Sequence, residues 1–361
     1  MTDDGELKDY LGTRFTRHND GLVMLSQPHM INLILDMVGL NREANRVKLH
    51  DTPACDHRLL DKELESLAHD YPWKYRSVVG RLSYLQAMIR PDLTMAVQQC
   101  ARFCSDPRKP HGEAVKRICC YLLRTKDKGL RLKLDPPRGL ECFVDADWAG
   151  AWQDKSSNDP IGAFSRTGYV IMYAGCPIIW ASKRQTLIAL STCESEYIAL
   201  SSALREVIYV LNLLNELKGR GFAINATTPE VKCTVFEDNR SCIEVTTNHK
   251  THPRTKHLSV RLHHFRSYVV SINQYPPYLN KGPARRYIYQ ATSSPCFHSP
   301  SRSLHGVVPS VGGSVIFYSF LAPSPSSRSS RANFLDRLAT ASFRPLFESI
   351  ATGHRFPLRP L

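Results

Sequence analysis

Hydrophobic positions recur at two spacings along this chain, and the change from one to the other falls near Leu140. Before it, helical spacing dominates. Ile31, Ile34, Leu35 and Val38 set a helix over residues 28–38. A hairpin precedes it, with 7–17 and 22–26 flanking a turn at 18–21. Residues 41–70 are polar and expected to be loop-rich. Two further helices are expected over 75–88 and 92–104, with Pro91 ending the first and Asp92 capping the second. A helix over 112–123 leads into 125–139, where Lys, Arg, Gly and Pro mark a link.

After Leu140 the pattern is mixed. A strand over 140–144 runs into acidic residues, and 168–173 with 178–181 form a hairpin around 174–177. A long amphipathic helix follows over 193–217, then a strand over 231–236 and a last helix over 258–270. Strand, hairpin, helix, strand, helix describes an α/β unit: a mixed sheet with helices packed on it. Beyond Ser271, Pro, Ser and Arg dominate and 324–330 is low-complexity, the texture of a disordered tail. The expected division is a mostly helical 1–125, a linker 126–139, a mixed-sheet domain 140–272 and a tail 273–361.

Composition refines this picture in three ways. Hydrophobic residues at 42% and charged ones at 22% are those of a soluble globular protein. No run of 18 apolar residues stands out, so neither a membrane span nor a secretory leader is expected. Net charge is +14, which favours a polyanionic partner, yet residues 276–361 alone hold ten Lys/Arg against two Asp/Glu. The basic character of the folded part is therefore milder than the total. The eleven cysteines include no Cys-x-x-Cys pair and are read as buried, reduced thiols of an intracellular protein.

Three carboxylates fall where such a topology would gather them. Asp145 ends the first strand and Asp238 a later one; adjacent strand ends bring two carboxylates close, which is costly unless a metal neutralises them. The third comes from the long helix, where Glu194 and Glu196 compete. They point roughly 200° apart at 3.6 residues per turn. Glu196 borders the apolar stripe Tyr197, Leu200, Ala203, Val207, Leu211 and Leu214, so it is the better candidate for facing the sheet. Hard oxygen ligands without clustered thiols suit two Mg2+ or Mn2+ ions, which together hydrolyse phosphodiesters.

Five motifs then resemble one family. Asp145-Ala146-Asp147-Trp148-Ala149-Gly150, Trp180-Ala181-Ser182-Lys183-Arg184-Gln185 and Ser191-Thr192-Cys193-Glu194-Ser195-Glu196-Tyr197 are similar to the ribonuclease H of copia-type (Ty1/copia) retrotransposon Pol polyproteins. Glu237-Asp238-Asn239 and His252-Pro253-Arg254-Thr255-Lys256-His257 follow in the family's order. Upstream, Glu6-Leu7-Lys8-Asp9-Tyr10-Leu11-Gly12, Tyr75-Arg76-Ser77-Val78-Val79-Gly80, Arg90-Pro91-Asp92 and Lys116-Arg117-Ile118 resemble the end of the same polyprotein's reverse transcriptase, its thumb and connection. The resemblance implies an RNase H-like fold in 140–272. It also implies Asp145, Glu196 and Asp238 as catalytic metal ligands, and RNA–DNA hybrid as substrate. His257 is read as a catalytic proton shuttle, with a structural cap of the following helix as the alternative.

The sequence also departs from that family. The polymerase's paired aspartates are absent, so no competent polymerase is expected from this chain alone. Ser259 stands where the family usually has a further aspartate. The family's ADxFTKPL ending is missing, but Arg286-Tyr287-Ile288-Tyr289-Gln290-Ala291-Thr292 can be encoded so that a one-base shift reads Asp-Thr-Phe-Thr-Lys-Pro. The tail is accordingly read as a frameshifted translation, which genomic DNA would decide.

Lys183, Arg184, Arg254 and Lys256 are the candidate nucleic-acid contacts, with Arg166 and Lys250 beside them. Trp148 and Trp180 are expected in the core, and His249, His252, His263 and His264 at the surface. The leading reading is an intracellular retroelement RNase H, in a cytoplasmic virus-like particle or the nucleus. The rest of the reverse transcriptase is its partner and no membrane is involved. The competing reading is an inactive remnant that at most binds nucleic acid.

Overall fold

Short turns and buried aliphatic stripes build the first half. A computed structural model describes residues 8–41, 47–54, 60, 62, 66–150, 160–224, 231–247 and 271–274. Strands β1 (Asp9–Tyr10), β2 (Thr13–Arg17) and β3 (Val23–Ser26) form an antiparallel meander. Its first turn holds Leu11 and Gly12 at φ 48° and 74°. Two left-handed residues match the twist of a two-residue hairpin turn, which is why glycine sits second.

Helices α1 (Pro28–Val38), α2 (Tyr75–Met88), α3 (Thr94–Ala101) and α4 (Lys109–Arg124) follow, burying Ile31, Ile34, Leu35, Leu82, Leu85, Ile118 and Leu122. Two local expectations need correction. Asp92 is not the N-cap of α3: a 3-10 turn, Pro91–Leu93, precedes that helix, and Asp92 pairs with the buried Arg90 at 2.7 and 2.5 Å. Arg90 also donates to the carbonyl and hydroxyl of Thr125, and the Tyr121 hydroxyl donates to Asp92. The Arg-Pro-Asp motif thus ties the start of α3 to the end of α4. Helix α4 begins three residues earlier than its apolar pattern suggests, because Pro110 suits a first turn and the His111 ring accepts the Arg108 N–H.

Within the expected linker, Leu130–Leu132 forms strand β4 and pairs antiparallel with β3. Leu130 and Leu132 are buried on either side of exposed Arg131, a period-2 pattern too short to stand out in the sequence.

The second sheet holds β5 (Leu140–Asp147), β6 (Arg166–Tyr173), β7 (Cys176–Arg184), β8 (Cys233–Glu237) and β9 (Ser271–Gln274), in the order β7-β6-β5-β8-β9. β6 runs antiparallel to β5 and β7, whereas β8 runs parallel to β5 and β9 parallel to β8. β9 carries strand structure two residues beyond the point where the tail was expected to begin. Helix α5 (Thr192–Gly219) joins the antiparallel part to β8, and α6 (Arg240–Thr247) follows β8. The stripe read from the sequence is buried in α5, from Tyr197 to Leu214. By length and composition α5 could cross a membrane, which the sequence reading did not anticipate. More than half of its most apolar window is buried, as in a core helix. Residues 258–270, expected as a helix, and the tail beyond Gln274 lie outside the described residues.

The described residues of Met1–Ile208 and Lys232–Pro300 form one compact unit; those of Tyr209–Val231 belong to a second. Inside the first unit, the Trp180 indole N–H of β7 donates to the Gln86 carbonyl at 2.9 Å. Gln86 lies in the last turn of α2, whose carbonyls have no helical partner. Trp180 was expected in the core and is instead half-buried at this contact. Trp180→Phe keeps the ring and deletes the donor. The full chain is expected to lose about 1 kcal/mol of stability in urea unfolding; an unchanged midpoint would show that water serves that carbonyl equally well.

Candidate metal centre

Backbone register brings the acidic residues together. Phe143 of β5 lies beside Phe236 of β8, their rings stacked at 4.8 Å and 13°. Two residues on, in parallel strands, Asp145 and Asp238 come side by side. β5 extends to Asp147, so Asp145 sits within the strand rather than at its end, opposite Gly168 of β6, which places no side chain there.

Helix α5 settles the competition between its two glutamates. Glu194 is used at the helix start: it accepts the Leu190 N–H at 2.8 Å while Ser191 Oγ accepts the Glu194 N–H at 3.2 Å. That reciprocal arrangement is close to a capping box. Glu196 turns the other way and is buried, accepting a hydrogen bond from the Ala146 backbone of β5. Carboxylate oxygens of Asp145, Glu196 and Asp238 lie within 4.8 Å of one another. Asp145 and Glu196 are buried, Asp238 half-buried.

Burial first, and then the surrounding negative charges of Glu237, Asp145 and Asp238, raise the Glu196 carboxyl far above its ordinary range, to about 11. Glu237 is raised for the same leading reason, to about 8. The sequence reading named Glu237 only as the neighbour of Asp238. Strand alternation could have found it: Cys233, Val235 and Glu237 share the buried face of β8. Asn239 then caps α6, a helix the sequence reading missed, by accepting the Cys242 N–H at 3.0 Å.

The candidate nucleic-acid contacts divide. Lys183 and Arg184 are exposed at the end of β7, where the Arg184 guanidinium lies over the Phe164 ring at 5.3 Å. Arg166 is buried and donates to the carbonyl and hydroxyl of Ser182, each at 3.2 Å, so it is not the surface phosphate contact expected of it. Trp148 is 46% exposed rather than in the core, its N–H donating to the Ala189 carbonyl at 3.0 Å. Arg254, Lys256, His257, Ser259, Lys250 and the histidines at 249, 252, 263 and 264 lie outside the described residues. Cys100, Cys119, Cys142, Cys233 and Cys242 are buried and free, and Cys104 and Cys193 are half-buried.

A five-stranded mixed sheet of this order, with acidic residues gathered from β5, the residue after β8 and the start of α5, defines a ribonuclease H-like domain. The chain belongs to the copia-type retrotransposon Pol polyprotein family. It is 32% identical over 275 residues to the retrovirus-related Pol polyprotein from transposon TNT 1-94 of Nicotiana tabacum, covering 74% of this chain and 19% of that protein. It is 34% identical over 200 residues to the polyprotein from transposon RE1 of Arabidopsis thaliana, covering 55% and 12%. The chain thus spans less than a fifth of these relatives. A solved ribonuclease H1 isolated from compost matches 43% of this chain and 98% of its own at 16% identity, with a TM-score of 0.29. No protein-family model matches the chain.

Proposed function

We propose that the chain is a ribonuclease H that hydrolyses the RNA strand of RNA–DNA hybrids with the help of two divalent cations. The observation that carries this is the convergence of Asp145, Glu196 and Asp238 oxygens within 4.8 Å. Their chemistry fits a hard cation. All three are carboxylates, and the Glu196 Oε2 atom is buried without a hydrogen-bond partner, a costly state for a carboxylate unless a cation satisfies it. Mg2+ or Mn2+ held there supplies water activation and charge neutralisation at the leaving oxygen.

The remaining work falls to the chain itself. Asp145 lies in β5 and Asp238 directly follows the neighbouring parallel strand β8, while Glu196 reaches in from the first turns of α5. Gly168 opposite Asp145 leaves room beside the acids. Lys183 and Arg184, with Arg254 and Lys256 from the sequence, bind the phosphate backbone, and exposed Trp148 offers a ring for stacking. His257 takes up the proton-shuttle role assigned from the sequence. In an intact element, the rest of the reverse transcriptase is the partner that delivers the hybrid.

The test is incubation of the full chain with end-labelled hybrid in Mg2+, beside double-stranded DNA and single-stranded RNA of the same sequence. Mg2+-dependent cutting of only the RNA in the hybrid is expected. Hybrid binding with no cutting, even in millimolar Mn2+, would replace this reading with that of an inactive nucleic-acid-binding remnant.

A further inference from the structure

We propose that Arg166 and Arg184 form a subsite for one phosphate of the nucleic-acid backbone, on the same face of the sheet as Asp145, with Arg102 adding its charge. Arg166 makes the buried floor of this subsite and Arg184 its exposed mouth. The proposal rests on the hybrid-binding reading above and names one contact for that substrate.

Strand register places the pair. Arg166 of β6 lies opposite Asp147 of β5 on one side and opposite Arg184 of β7 on the other. Residues opposite one another across strands share a face, so these three form one row. Asp145, Gly168 and Ser182 form the row two residues back along β5. Alternation puts both rows on the same face, about 7 Å apart along the strands. An anion held at the arginines therefore neighbours whatever the acids hold.

The side chains are set up for such an anion. Arg166 is only 6% exposed, and its Nε is buried without a hydrogen-bond partner. Ser182, in the row of Asp145, steadies the guanidinium by accepting two hydrogen bonds from Nη1. Burial first, and then the positive charge of Arg102, pull Arg166 below its ordinary value, to about 10. Arg184 acts in the same direction and Asp147 against it. Arg102 directly follows α3, which packs against β7. Rings brace the two outer guanidiniums, Phe164 under Arg184 at 5.3 Å and Phe103 under Arg102 at 5.2 Å. Two arginines directly opposite one another repel, a cost that a bound anion reverses. A phosphate suits the place, because guanidinium forks bind its oxygens in pairs.

A purely structural role makes a different prediction. If Arg166 served only to pair with Asp147, Arg184 would be an idle surface group. Its removal would then leave nucleic-acid binding untouched.

The experiment follows binding of a fluorescent RNA–DNA hybrid by anisotropy, in EDTA and across a series of KCl concentrations. It compares the full unsubstituted chain with Arg184→Ala, Arg166→Gln and the double variant, with urea unfolding of each. Each single variant is expected to bind about tenfold more weakly, as when one charged hydrogen-bonding group is lost. The fall of log affinity with log salt should become shallower by about one, the signature of one phosphate contact. The double variant should share that slope, because both arginines act on one phosphate. Unchanged affinity and slope in Arg184→Ala would overturn the subsite alone, and so would a double variant that loses two contacts. An Arg166→Gln chain that fails to fold, or folds and keeps the original slope, would strike Arg166 from the subsite. Failure of the unsubstituted chain to bind hybrid would overturn the subsite together with the substrate reading.

Discussion

Asp145→Asn is expected to slow single-turnover cleavage of an RNA–DNA hybrid by at least about a thousandfold, equivalent to about 4 kcal/mol of barrier. The reasoning is electrostatic. Asp145 is buried two residues before the end of β5, with Glu196 and Asp238 as its carboxylate neighbours. Replacing one oxygen by an amide NH2 removes a charge and turns an acceptor into a donor aimed at the acids, so a hard cation loses a ligand and gains a repulsive dipole. Volume and backbone are unchanged, so the fold should survive and hybrid binding by Lys183 and Arg184 should change little. A variant that cuts at more than a tenth of the unsubstituted rate would detach the three acids from the chemistry.

Metal-free protein is expected to lose stability as pH rises from 5 to 8, opposite to the usual acid denaturation of carboxylate-rich proteins. Glu196 and Glu237 are both raised above their ordinary values, first by burial and then by neighbouring carboxylates, to about 11 and about 8. The folded chain therefore keeps a proton that the unfolded chain, titrating near 4.5, has released. Stability linked to that proton is complete below the unfolded value and is lost as pH climbs through about 8. One proton over three pH units amounts to about 4 kcal/mol, and the two carboxyls interact, so they are counted as one. Saturating Mg2+ favours the ionised acids and should flatten the profile. Urea midpoints in EDTA that stay level from pH 5 to 8 would mean the acids are ionised and well solvated.

The reach of the sequence can be judged residue by residue. Asp145 and Asp238 were legible because each follows a short apolar run, and parallel strands align such ends. Glu196 was separable from Glu194 by helical phase alone, and the capping interaction of Glu194 agrees with it. Glu237 stayed hidden because reading the acidic pair as a strand end drew attention to Asp238, while the period-2 burial of β8 carries the signal. Arg166 and Trp148 were misplaced for a related reason. Composition says nothing of which strand face meets the helices, so a guanidinium looked exposed and an indole looked buried. β4 was overlooked because three residues flanked by Lys, Gly and Pro resemble a linker, and only pairing with β3 gives them a role.

The indole of Trp180 has a practical consequence for anyone excising the nuclease module. Cutting the gene at the compositional break near Gly139 would strip α2 from the sheet, leaving an orphaned carbonyl's former donor and a large aromatic face open to water. Such a fragment invites self-association, and its behaviour in the test tube would report on the scar of the excision as much as on the enzyme. A cut placed upstream of α2, so that neither it nor β4 is lost, would keep that hydrogen bond, since the described residues up to Ile208 share one compact unit.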